Sequence, residues 1–207
     1  MPRYPLPDGR RGVAKREKGP GIFCVEGDWS SDLADRASVL DMLDMLETVD
    51  GIPYIHEHVG DSIDAFEGAL RKWRLKKYSD YSIAYFAFHG KPGKLMFGRH
   101  VVPLKQIAAV LKGACAGRIL YFGSCSVLRI EEEVALQFLA ETGADAVVGF
   151  TRDVSWLASA ALDLILLEAL AVNTDEVKVE KWLRKEYGAL ARHLGLRMYY
   201  GDKLPST

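Results

Sequence analysis

Three cysteines in 207 residues are few, and none stands in a paired spacing. Cys24, Cys115 and Cys125 therefore suggest neither a disulfide framework nor a zinc ribbon, and they fit a reducing compartment. Long apolar runs are missing too. The most apolar stretch, 156–172, is broken by Asp163 and Glu168 and falls short of the roughly 20 residues a membrane span needs. No apolar signal core opens the chain, so the expected location is the cytoplasm, away from membranes. Neither G-x-G-x-x-G nor G-x-x-x-x-G-K-[ST] occurs, which removes the main support for dinucleotide or nucleotide binding, and no cofactor is expected. No segment repeats another, and neither sign of charge dominates, with 27 basic and 28 acidic side chains.

What is present is a globular mixture, 49% hydrophobic and 27% charged, sufficient for a core that stands without disulfides. The charge is unevenly placed. Residues 1–20 hold six basic side chains against two acids, with four prolines and no apolar periodicity, and read as a flexible basic tail. The net charge of −1 then leaves −5 for residues 21–207, an acidic balance that argues against a nucleic-acid partner. That remainder reads as one domain. Strands are expected at 22–25, 54–59, 82–88, 118–123 and 146–150, with a short last one at 197–200. Helices are expected at 33–46, capped by residues 30–32, and at 61–78, 104–115, 131–142, 155–172 and 175–194. A small hairpin over 94–104 turns near Gly98. Repeated strand–helix units need long crossovers, so the fold class is α/β, a three-layer α/β/α sandwich around a mostly parallel sheet of about six strands.

Ligands on open parallel sheets bind beyond the carboxyl ends of the strands. Counted from Ser82 and Arg118, His89 and Cys125 each fall at the eighth position of their strand. If these strands are neighbours, their axes lie roughly 4.8 Å apart, and an imidazole and a thiol leave one sheet edge side by side. That is the geometry of a nucleophile and its base. Gly90 lets the backbone after the histidine approach a substrate, and its N–H and that of Cys125 are candidate oxyanion donors.

Phe88-His89-Gly90 closing one apolar strand, then a hairpin, a helix and Gly123-Ser124-Cys125 closing the next, resemble the caspase-like cysteine peptidases. That clan (clan CD) includes caspases, metacaspases, separase and the bacterial CHAT-type peptidases, and the resemblance covers most of residues 21–154. The chain also looks like short single-domain bacterial proteins of that type. The resemblance implies a caspase-hemoglobinase-like fold, a Cys125–His89 catalytic dyad and a protein or peptide substrate. For a bacterial member it also implies a stress or defence role, switched on by an activating protein partner. One position departs from the pattern. Metacaspases and related basic-specific members carry an acid two residues before the cysteine, where this chain has Gly123. The pocket is then charged elsewhere or not at all, with Asp28, Arg152 and Asp153 as the candidates at other strand ends.

Other features read as structural. His56 and His58 share one face of a strand without the further ligands a metal site needs, so no metal is expected. Arg71 to Lys77 is the solvated end of a helix, and Cys24 and Cys115 are packing residues. The helix at 175–194 is long enough to cover the apolar 156–172 helix, which predicts a monomer or weak dimer. The missing pocket acid keeps open a second class of function, a non-catalytic interaction or signalling module on the same fold. A small-molecule-binding doubly wound domain ranks behind both.

Overall fold

The computed structural model describes residues 19–32, 34–173 and 175–201. The basic opening segment, residues 1–18, lies outside the described residues. In chain order the elements begin β1 (Ile22–Glu26), α1 (Leu40–Asp50), β2 (Tyr54–His58), α2 (Ile63–Trp73) and β3 (Ile83–Ala87). Three short strands follow, β4 (Gly90–Lys91), β5 (Lys94–Phe97) and β6 (His100–Pro103), then α3 (Leu104–Leu111) and β7 (Ile119–Phe122). The chain continues through α4 (Glu132–Thr142), β8 (Ala146–Phe150), α5 (Trp156–Val172), α6 (Glu176–Glu186), α7 (Gly188–Leu194) and β9 (Leu196–Tyr200).

The main sheet has the order β2-β1-β3-β7-β8-β9. Every neighbouring pair is parallel except β8 and β9, so the sheet is mostly parallel, as the crossover helices require. Successive side chains along a strand point to opposite faces, and this alternation sorts the buried residues into two cores. Ile22, Cys24, Tyr85, Tyr121 and Val148 face the helices α1, α5, α6 and α7. Phe23, Val25, Phe86, Phe122 and Val147 face α2, α3 and α4. The second core is aromatic, with Phe23 stacked on Trp73 at 5.4 Å and Phe66 edge-on to Phe88 at 5.5 Å.

Four helix expectations are corrected. The helix expected at 61–78 ends at Trp73, before a separate 3-10 turn at Lys76–Tyr78, and that expected at 104–115 ends at Leu111. The first helix begins at Leu40 rather than at 33, because Asp32 and Asp35 hold the N–H groups two residues on, those of Ala34 and Ala37. Such local side-chain bonds compete with helix formation. The last long helix is two, α6 and α7, broken at Tyr187, whose ψ of 20° departs from helical geometry. The small hairpin gains a third strand, because the residues after His89 turn back to pair with β5. Gly98, at φ 54°, makes the predicted turn between β5 and β6. Among the described residues, no helix is long and apolar enough to cross a membrane.

Candidate functional site

Strands β3 and β7 are neighbours, and Ile83 pairs with Ile119 through to Phe86 with Phe122. Counted on at the same offset, His89 falls opposite Cys125, and both line one cavity. Ser124 extends the pairing in place of a backbone ladder. Its hydroxyl donates to the Phe86 carbonyl at 3.2 Å and accepts the Phe88 N–H at 3.3 Å, and its side chain is buried. Gly90 is required by contact of a different kind from the one expected. A Cβ there would overlap the Cys125 carbonyl oxygen and press on Val127 and Ser124, so the two loops touch backbone to backbone.

On the other side, the loop after Cys125 is tied to the end of β8. The Ser126 N–H donates to the Arg152 carbonyl at 2.9 Å, and the Leu128 N–H to the Phe150 carbonyl at 2.9 Å. Ser126 has φ 56°, the only described non-glycine residue with positive φ, a conformation that costs energy outside glycine and persists where surroundings enforce it. Its hydroxyl donates to Asp153 and accepts from Arg129 at 2.9 Å. Cys125 is thus held between two anchored serines, at about 1 kcal/mol of net stability per hydrogen bond.

His89 and Cys125 share the odd-numbered face of the sheet with Tyr85, Tyr121 and Gly123, the face that α5 covers. Together they line a cavity of about 240 Å³ with Trp29, Trp156, Val154 and Asp163 among its walls. The His89 ring is exposed, and its Nε2 lies 2.8 Å from the Trp29 carbonyl oxygen. A carbonyl only accepts, so Nε2 carries the proton and Nδ1 is left as the acceptor. Trp29 also packs edge-on to His89 at 5.4 Å and to Trp156 at 4.4 Å. Cys125 is half-buried. Its sulfur accepts the Val154 N–H at 3.4 Å and lies 3.8 Å from the Val154 carbonyl oxygen. Among the described residues no acceptor takes the Cys125 N–H. The Met96 N–H donates to the His89 carbonyl at 2.8 Å, which makes Gly90–Leu95 the wide pair of the hairpin, with the Gly90 N–H turned away from β5.

The position of Trp29 depends on Glu26, the last residue of β1 and fully buried. Its carboxylate accepts the Trp29 indole N–H at 2.6 Å, the Ser38 hydroxyl at 2.7 Å and the Val39 N–H at 2.8 Å, with His56 Nε2 at 2.7 Å. Burial alone pushes this carboxyl up, but the hydrogen bonds, that of His56 foremost, outweigh it and hold it below its ordinary value. At the cavity floor stands Asp163 of α5, 2% exposed. It accepts the Tyr85 hydroxyl at 2.7 Å and the Tyr121 hydroxyl. Burial pushes its carboxyl up to about 7 in spite of both tyrosines.

The three pocket candidates chosen by strand position are not brought to the cavity. Asp28 faces His58 at 3.4 Å, Arg152 donates to the His193 carbonyl at 3.3 Å, and Asp153 is taken by Ser126 and Arg129. Gly123 does line it, and a Cβ there would overlap the Tyr85 ring. The carboxylate that does line the cavity, Asp163, comes from a helix, α5. Its only sequence signal was a carboxylate interrupting an apolar run, and Glu26 had less signal still, as a polar residue after four apolar ones. Among the described residues no group of three His, Cys, Asp or Glu side chains could hold a metal ion.

Fold and site together define a three-layer α/β/α protein with a cysteine and a histidine at adjacent strand ends, opening on one cavity. Over residues 20–200 the chain matches, and belongs to, a family of unknown function (DUF6642). Among curated proteins none matches it.

Proposed function

We propose that the chain is a caspase-like cysteine endopeptidase acting through a Cys125–His89 dyad. The observation that carries this reading is the β3–β7 register, which sets both side chains on one face, at one edge, against one cavity. In the proposed reaction His89 Nδ1 takes the thiol proton as the sulfur attacks the peptide carbonyl. The oxyanion is met by the N–H groups of Gly90 and Cys125. The imidazolium returns its proton to the leaving amine, and water, activated by the same ring, hydrolyses the thioester. Trp29 orients the ring through its carbonyl, the part a third residue plays in nucleophile–base pairs.

The test is alkylation of all three thiols, read by mass spectrometry at pH 6 and pH 8. Exposure alone favours Cys125, because Cys24 and Cys115 are buried and burial pushes both thiols up, Cys115 to about 12. The discriminating variant is His89→Ala. A working pair predicts that Cys125 labelling at pH 6 slows at least tenfold in the variant, since an adjacent imidazolium favours a thiolate. Cys125→Ala should cost only about 1 kcal/mol of stability, as it removes one half-buried sulfur. A second reading, the non-catalytic interaction module, is favoured by the contact between the thiol and the Val154 carbonyl. Labelling of Cys125 that does not change when His89 is removed would establish that reading in place of the first.

A further inference from the structure

The cavity beside Cys125 is apolar on its walls and acidic at its floor. Its volume of about 240 Å³ exceeds the ~150 Å³ that admits a benzene molecule in an engineered protein cavity, so it has room for a long side chain. Trp29 and Trp156 stand at right angles, 4.4 Å apart, among its walls, surfaces suited to an aliphatic stem and to a cation over an indole face. Among the described residues Asp163 is the only carboxylate that lines it. The two tyrosine hydroxyls occupy one lone-pair site on each carboxylate oxygen, and a carboxylate offers about four. A purely structural partner for two tyrosines need not carry charge, and an ionised carboxylate is costly to bury without a counter-charge. Among the described residues no basic side chain other than His89 lines the cavity. Burial holds the Asp163 carboxyl at about 7, so near neutrality it exchanges between neutral and ionised forms, and a cation entering this apolar cavity would favour the ionised one.

We propose that this cavity is a pocket for a cationic side chain, lysine or arginine, with Asp163 as the acid that selects it. The inference deepens the peptidase reading and rests on it for the identity of the substrate. Bound beside the nucleophile, such a side chain would place the adjoining peptide carbonyl at Cys125. Cation binding strengthens as Asp163 ionises. The titratable groups facing it are Tyr85 and Tyr121 from the sheet, with His89 and Cys125 on the same cavity.

Two measurements on the full chain separate the pocket from the chemistry. The first uses peptidyl acyloxymethyl ketones ending in lysine, norleucine or aspartate. The Cys125 sulfur forms a bond to the methylene carbon and the carboxylate leaves. The lysine probe should label Cys125 at least tenfold faster than the norleucine probe, and Asp163→Asn should bring the two within about twofold. The second follows the indole N–H signals of Trp29, Trp73, Trp156 and Trp182 by NMR as n-butylguanidinium is added. Trp29 and Trp156 should shift, Trp73 and Trp182 should not, and wild-type affinity should be several-fold higher at pH 8 than at pH 6. Asp163→Asn should abolish both the shifts and that pH difference. Norleucine or aspartate probes that label as fast as lysine would overturn the pocket while leaving the dyad intact. Guanidinium binding without labelling by any probe would uphold the cation pocket and overturn the peptidase reading. Neither binding nor labelling would overturn both. The lysine–norleucine comparison needs only the wild-type chain, so it decides even if Asp163→Asn fails to fold.

Discussion

Asp163 has a thermodynamic cost as well as a place in the site. Its carboxyl sits at about 7 in the fold, against roughly 3.9 in an unfolded chain. Between these values the folded state binds a proton that the unfolded state has released. Its contribution to stability is therefore complete below about pH 4 and is lost as pH rises to about 7, at most about 4 kcal/mol. Glu26 runs the other way, since its lowered carboxyl stabilises the fold above its unfolded value and loses that effect on acidification. Asp163→Asn is thus expected to flatten the decline between pH 5 and 7, making the variant relatively more stable at pH 7.5. Urea denaturation at several pH values measures it. His89 and Cys125 were legible in the sequence because counting along two strands of equal frame needs no knowledge of contacts. Asp163 was not, because its partners Tyr85 and Tyr121 lie 78 and 42 residues away and only the packing of α5 on the sheet joins them.

At the scale of elements, the segment between β1 and α1 shows how one side chain shapes a region without regular structure. Glu26 gathers donors from residues 29, 38 and 39, and its neighbour strand adds His56. Glutamine at this position has one acceptor oxygen and brings two donors of its own, so several of these contacts cannot survive. Glu26→Gln is expected to cost about 3 kcal/mol, in the range for breaking a buried charged network. It should also make the 27–38 segment the first site of cleavage in limited proteolysis, located by mass spectrometry. Strand β8 was predicted to the residue, because a fully apolar run bounded by turn residues leaves little ambiguity. Helix starts were less legible. Apolar spacing continues through 33–39, but local carboxylates and the reach of Glu26 decide where helical hydrogen bonding begins. The break before α7 was hidden for a related reason. A turn at Tyr187 and Gly188 lets α6 bury Val179 and Leu183 while α7 buries Ala191 and Leu194 in the same core, a tertiary demand without a periodic trace.

For the whole molecule, the two cores account for most of the apolar surface. Helix α5, apolar on most faces, packs against α1, α6 and α7 as well as the sheet. The outer strands carry exposed charge, Glu57 on β2 and Arg197 on β9, which opposes edge-to-edge pairing of sheets. The expected state is a monomer of 23.0 kDa, or a dimer that dissociates on dilution. Sedimentation or light scattering that finds a dimer persisting at nanomolar concentration would refute this.

The reversal of β9 bears on how the molecule can be handled. Because β9 alone runs against the others, it ends beside the start of β8, where the Gly201 N–H donates to the Asp145 carbonyl. Gly21 is held nearby in the same sense, at the start of β1 and next to the start of β3, through its N–H on the Asp80 carbonyl. Both described ends therefore leave from the rim of the sheet opposite His89 and Cys125. A support or reporter domain brought up to the rim at Gly21 or Gly201 should leave the cavity at the opposite rim clear.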